Sequence, residues 1–123
     1  MWQIEVPQVA PWINSNDRTY WAKKAQHTKA WKAAADVAAR NRGGYFTCPV
    51  RIVCTYHKTR GGRWDVGNLQ PTSKALVDGL VAAGVIYDDS NEYVVGPDNR
   101  AGAKRAQACV VIRIEPIREA SSE

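Results

Sequence analysis

Residues 49–89, PVRIVCTYHKTRGGRWDVGNLQPTSKALVDGLVAAGVIYDD, hold the pattern that decides the fold. Pro49 to Tyr56 is rich in β-branched residues and places Val50, Ile52 and Cys54 on one face, as a strand packed on a core requires. His57 to Trp64 is polar, basic and glycine-containing, and reads as a loop or hairpin tip. Pro71 suits the first position of a helix, because its missing N–H would have no intrahelical partner there. Leu76, Leu80 and Val81 then form a core stripe at helical spacing. Gly84 predicts the stop of that helix, and the short apolar run Val85 to Tyr87 ends at Asp88-Asp89.

The flanking segments extend the pattern. Upstream, Trp2 to Val6 alternates large and polar residues as a first strand. Pro7 and Pro11 bound an extended stretch, and Asn14, Ser15, Asn16 and Asp17 are all residue types that cap helices. An alanine-rich run with few breakers predicts a helix from about Thr19 to Arg40, stopped by Gly43 and Gly44. Downstream, Glu92 to Val95 is a candidate strand, Pro97 to Lys104 a basic loop, and Gln107 to Glu115 a final strand with Ala108, Val110, Ile112 and Ile114 on one face. The order β-α-β-α-β-β predicts an α+β (mixed α/β) fold, with a small mixed sheet packed against two helices. One domain over residues 1–117 is expected, followed by a polar tail at 118–123.

Composition narrows the function classes. No apolar run approaches the 18 or so residues of a membrane span. The N-terminus lacks the basic-then-apolar pattern of a secretory signal, so a cytoplasmic protein is expected. Lys and Arg outnumber Asp and Glu by 17 to 12, and a formal charge of +5 draws a small domain toward polyanions such as nucleic acid. Cys48, Cys54 and Cys109 are odd in number, form no C-x-x-C pair and lie in apolar stretches, which suits buried reduced thiols. His27 and His57 have no partner at metal-ligand spacing, which argues against zinc.

Acidic residues nonetheless cluster in the middle of this basic chain. Asp65 follows the basic loop and precedes the second helix, Lys74 and Asp78 share one face of that helix, and Asp88-Asp89 follows its end. Phosphodiester hydrolysis uses such an inventory: carboxylates hold a hard divalent cation, which activates water and stabilises phosphoryl charge, and a lysine neutralises the transition state. The same residues also have plain structural uses. Lys74–Asp78 suits an exposed helical pair, Asp88-Asp89-Ser90-Asn91 a turn, and Asp65 a loop cap. Spacing alone leaves both readings open.

The ordered combination resembles the RusA-like family of Holliday junction resolvases. Its Arg-x-Asp-x-Asp-Asn pattern is similar to Arg63-Trp64-Asp65-Val66-Gly67-Asn68, its helix-opening lysine and Asp-x-Leu element to Lys74-Ala75-Leu76-Val77-Asp78-Gly79-Leu80, and its Asp-Asp pair to Asp88-Asp89 after Ala83-Gly84-Val85-Ile86-Tyr87. Asn16-Asp17-Arg18 and Trp31-Lys32 resemble the family's N-terminal part, so the likeness runs roughly from Pro11 to Ile114. The resemblance implies a Mg2+-dependent endodeoxyribonuclease (Mn2+ as a substitute) that cuts four-way or otherwise branched double-stranded DNA. It implies Asp65 and Asp89 as metal ligands, with Asp88 beside them, Lys74 as the catalytic lysine, and Asn68 as the residue orienting the Asp65 loop. It also implies a phage or prophage origin, a bacterial cytoplasm and a homodimer, since paired cuts on a two-fold junction need two active sites. Two departures stand out. Gly67 replaces the second Asp of the motif, leaving Asp88 or Asp78 as a substitute ligand and admitting a junction-binding protein that cuts weakly or not at all. Pro71-Thr72-Ser73 are extra residues between Asn68 and the lysine.

For DNA contact, Lys58, Arg60 and Arg63 around Gly61-Gly62 are the leading candidates, because a basic loop beside the acidic cluster is placed to hold phosphate. Arg18, Lys23 and Lys24, with Lys29 and Lys32, form a further basic face at and within the first helix, whose Trp21 and Trp31 are expected in the core. Arg100, Lys104 and Arg105 make another basic group.

Overall fold

The fold is seen in a computed structural model that describes residues 1–90 and 92–117; the polar tail expected at 118–123 lies outside them. The alternating and β-branched runs form four strands: β1 (Trp2–Pro7), β2 (Val50–His57), β3 (Val94–Ala101) and β4 (Cys109–Pro116). Two helices intervene, α1 (Trp21–Arg42) and α2 (Gln70–Ala82), the second entered through a short 3-10 turn at Val66–Leu69. The sheet order is β1-β4-β2-β3. β4 runs antiparallel to both β1 and β2, and β3 runs parallel to β2, so the sheet is mixed and α2 is the crossover of a β-α-β unit. This is the α+β architecture that the element order implied.

Register explains the core. Trp2, Ile4 and Val6 pair with Ile114, Ile112 and Val110, which pair in turn with Ile52, Cys54 and Tyr56. Because side chains alternate along strands, all nine lie on one face, and all nine are buried. Trp31, Ala35 and Ala39 of α1 and Leu76, Val77 and Leu80 of α2 complete the same cluster. The helices meet closely at Gly79, where a Cβ would collide with the Lys32 carbonyl and crowd the Ala35 methyl at 2.7 Å. Only hydrogen fits there, and the small α1 residues allow that approach. No helix of the described residues is long and apolar enough to cross a membrane.

Several local expectations need correction. The caps expected at Asn14 to Asp17 are not used as such: α1 starts at Trp21, after Tyr20, with no side-chain cap. Asn14 Oδ1 accepts the Asn16 N–H in a local turn instead, the competing use of such side chains. Gly43 ends α1 as expected, at φ +75°. The stretch 97–104, expected as a loop, supplies most of β3. β3 has only β2 as a neighbour, and an edge strand tolerates Pro97 and a run of polar residues. Register slips by one residue between Arg51 and Val53, and Gly96 at φ +104° serves that bulge, where a Cβ would sit 2.8 Å from the Ile52 carbonyl oxygen. Trp31 is fully buried, but Trp21 is 73% exposed. Cys54 and Cys109 are buried in strands, whereas Cys48 is half-buried before β2.

Candidate active site

The crossover helix and the segment after it bring three of the expected residues together. Lys74 and Asp78, one turn apart on the exposed side of α2, are joined by a 2.8 Å ion pair. The chain leaves α2 at Ala82, turns at Gly84 in the left-handed region, and buries Val85 and Ile86. Those two anchors carry Asp89 back to Lys74, whose ammonium donates to the Asp89 carboxylate at 2.5 Å. The Asp88 carboxylate accepts the Asp89 N–H at 2.7 Å. The side chains of Lys74, Asp78 and Asp89 are 58%, 36% and 33% exposed, so the cluster lies at the surface within reach of a large ligand. Hydrogen bonds donated to Asp78 and then Asp89 hold the Lys74 ammonium above its ordinary pKa, and the bond accepted from Lys74 holds Asp89 below the usual carboxylate value. Lys74 and Asp89 are therefore both charged at neutral pH.

Asp65 lies just before the turn through which α2 is entered. It caps the 3-10 turn, its carboxylate accepting the Gly67 N–H at 3.0 Å. It forms no ion pair among the described residues, and no three His, Cys, Asp or Glu side chains there form a ready cluster for a metal. Gly67 has room for only a modest change, since a Cβ would lie 3.1 Å from Asp65 Oδ1. Asn68, the expected orienter of this loop, holds it through its backbone: its carbonyl accepts from Ser15 N–H at 2.8 Å.

The side chain that ties down the Asp65 loop is Asn99, which sequence reading assigned to a basic loop. Its amide donates to the Val66 carbonyl at 2.9 Å and to Gln70 Oε1 at 3.3 Å. Its oxygen accepts from Ser73 Oγ at 2.7 Å, and Ser73 shares a further hydrogen bond with Tyr56. The link runs from the core of β2 through α2 to the edge strand and the 3-10 turn. Thr72 adds a second anchor, bonding both the N–H and the carbonyl of Ile13. The extra residues Pro71-Thr72-Ser73 thus form the anchored first turn of α2. Burial pushes the Cys54 thiol up to about 12 and raises the Tyr56 hydroxyl further, so neither supplies a nucleophile at neutral pH.

The basic candidates fall in two places. Lys58, Arg60 and Arg63 lie on the loop between β2 and the 3-10 turn. Arg18, Lys23 and Lys24 lie at the start of α1, beside the exposed rings of Tyr20 and Trp21, whose centroids are 5.7 Å apart. Arg100 and Arg105 are engaged with Asp98 and Glu5. Comparison of the chain with models of protein families and with curated proteins finds no match in either.

Proposed function

We propose that the chain is a Mg2+-dependent endodeoxyribonuclease of the RusA-like, junction-resolving type, acting as a homodimer on branched DNA. The observation that carries this reading is the convergence of Asp89 on Lys74 across 15 residues of sequence, on the helix whose entry turn is capped by Asp65. An exposed i,i+4 pair explains Lys74 with Asp78 alone. It does not explain why the chain returns a second carboxylate to the same ammonium.

The donors fit a hard divalent cation. Asp78 and Asp89 offer carboxylate oxygens, already gather a cation in the form of the Lys74 ammonium, and face solvent. Asp89 and Asp65, with Asp88 or Asp78, would hold the metal, which when bound would supply activation of water and neutralisation of phosphoryl charge. Lys74 then places a fixed positive charge beside the reacting phosphate, and Asn99, Ser73 and Tyr56 keep the Asp65 turn in register with α2. Lys58, Arg60 and Arg63 hold the flanking backbone.

A second reading is favoured by one observation. Gly67 stands where the motif has a second aspartate, and the Asp65 carboxylate is turned onto the Gly67 N–H. On this reading the chain binds junctions and cuts them poorly. Incubation of the purified protein with a synthetic four-way junction separates the two. The expected result is paired, symmetric nicks in Mg2+ and none in EDTA. Binding without nicks in either Mg2+ or Mn2+ would favour the second reading, and absence of binding would remove both.

A further inference from the structure

The loop 58–65 is one wall of a cleft of about 270 Å3 lined by Lys58, Arg60, Arg63 and Trp64, with the opposite wall formed by the end of β3 and the residues after it, including Lys104. The walls are pinned together. Gly102 N–H donates to the Tyr56 carbonyl at 2.8 Å, Arg105 N–H donates to the Lys58 carbonyl at 2.9 Å, and His57 Nδ1 bonds the Ala103 carbonyl at 2.7 Å. Gly102 has to be glycine, because a Cβ there would collide with the His57 ring. The cleft is thus held open by the backbone rather than by its own side chains.

Its charge is unbalanced. Among the described residues beyond α1 and its approach, the other cations, Arg51, Lys74, Arg100, Arg105 and Arg113, are all paired with carboxylates. Among the described residues none of Lys58, Arg60, Arg63 and Lys104 is paired with a carboxylate, and no acidic residue lines the cleft. Four cations converge on a concavity, and mutual repulsion there is relieved by an anion. A Cβ at Gly61 or Gly62 would meet nothing within 4 Å, so the loop backbone is open to close approach by a ligand. Trp64 gives the cleft an aromatic wall, with the Lys58 ammonium 4.8 Å from its ring centre.

We propose that this cleft binds a phosphodiester segment of one unpaired nucleic-acid strand, with Lys104 as a phosphate contact from the wall opposite the basic loop. The cavity lies below the roughly 300–1,000 Å3 range of drug-sized ligand sites, which suits about one nucleotide and excludes a duplex. Unpaired cations along the walls with an aromatic surface between them are the arrangement used for single strands. The inference rests on the nuclease reading only in taking the polymer to be DNA. Arg63 and Trp64 lead directly into Asp65, so a strand leaving the cleft passes the capped turn of α2.

The test is fluorescence anisotropy in EDTA, where cutting is absent, using a labelled single-stranded oligonucleotide with unlabelled single strand, blunt duplex, mononucleotide and inorganic phosphate as competitors. Lys104→Glu is expected to weaken single-strand binding about tenfold and to lower the slope of log affinity against log salt by about 1. Arg60→Glu should act alike, whereas Arg42→Glu, an equal charge change at the end of α1, should change affinity less than threefold. Single strand should compete better than duplex, and millimolar phosphate or mononucleotide should not displace it. An unchanged affinity and slope in Lys104→Glu, equal competition by duplex, or full displacement by phosphate would each overturn the proposal. Binding that needs Lys104 in a protein that never cuts a junction would sink the nuclease reading and keep the cleft.

Discussion

Asp89→Asn is expected to abolish Mg2+-dependent junction cleavage while the protein stays folded and still binds the junction. Asn keeps the shape of the side chain and removes its charge, so Lys74 loses its partner from the returning segment and the site loses the anion that would hold a metal. Partners one shell out from a metal already cost about 10–100-fold when removed, and Asp89 on the proposed reading is a direct ligand, so its loss should exceed about a hundredfold in single-turnover rate. Stability should barely move. The Lys74–Asp89 pair is solvent-exposed, and such pairs contribute about 0–1 kcal/mol. Junction cleavage and urea unfolding on the same preparation check both halves. Cutting at the wild-type rate would remove Asp89 from the site.

Trp31→Ala is expected to cost about 3–5 kcal/mol of folding stability. The Trp31 ring has no exposed surface, stacks on Trp12 with centroids 5.0 Å apart, and donates its indole N–H to the Pro11 carbonyl at 3.0 Å. Trp12 in turn meets Tyr56 edge-on at 5.3 Å and lies 6.2 Å from Trp64, the residue before Asp65. Emptying the Trp31 site therefore loosens an aromatic chain that runs from α1 to the entry of the Asp65 turn. Domains of this size have about 5–15 kcal/mol to lose, so a large part of the total is at stake. Trp21→Ala, by contrast, should stay within about 0.5 kcal/mol, because its ring is mostly in solvent. Chemical denaturation of both variants checks the pair, and a larger loss at Trp21 than at Trp31 would contradict the packing described.

These two tryptophans show where sequence reading succeeds and where it stops. Ten residues apart on an alanine-rich helix, they look alike in one dimension. Only the docking of α2, with Gly79 pressed against Lys32 and Ala35, decides which face is inside. β1, β2, β4 and α2 were legible because burial on one face imposes a period on the residues that face it. β3 was legible only at its start, Val94-Val95, because an edge strand with one neighbour needs no apolar alternation and accommodates Gly96-Pro97 in a bulge. The cluster of Lys74, Asp78 and Asp89 was half legible. Helical spacing gives Lys74 with Asp78, but the return of Asp89 depends on the burial of Val85 and Ile86. Asn99 carried no signal and Lys104 only that of a basic group, since a polar residue in a basic stretch acquires a particular role only when the sheet places it beside the Asp65 turn or across the cleft.

The convergence of carboxylates on Lys74 has one most direct test, the uptake of Mn2+ by the purified protein followed through the electron paramagnetic resonance signal of the free ion. Saturable uptake by the wild type that is lost in Asp89→Asn is the expected result. Equal uptake by both proteins, or none by either at millimolar ion, would contradict it.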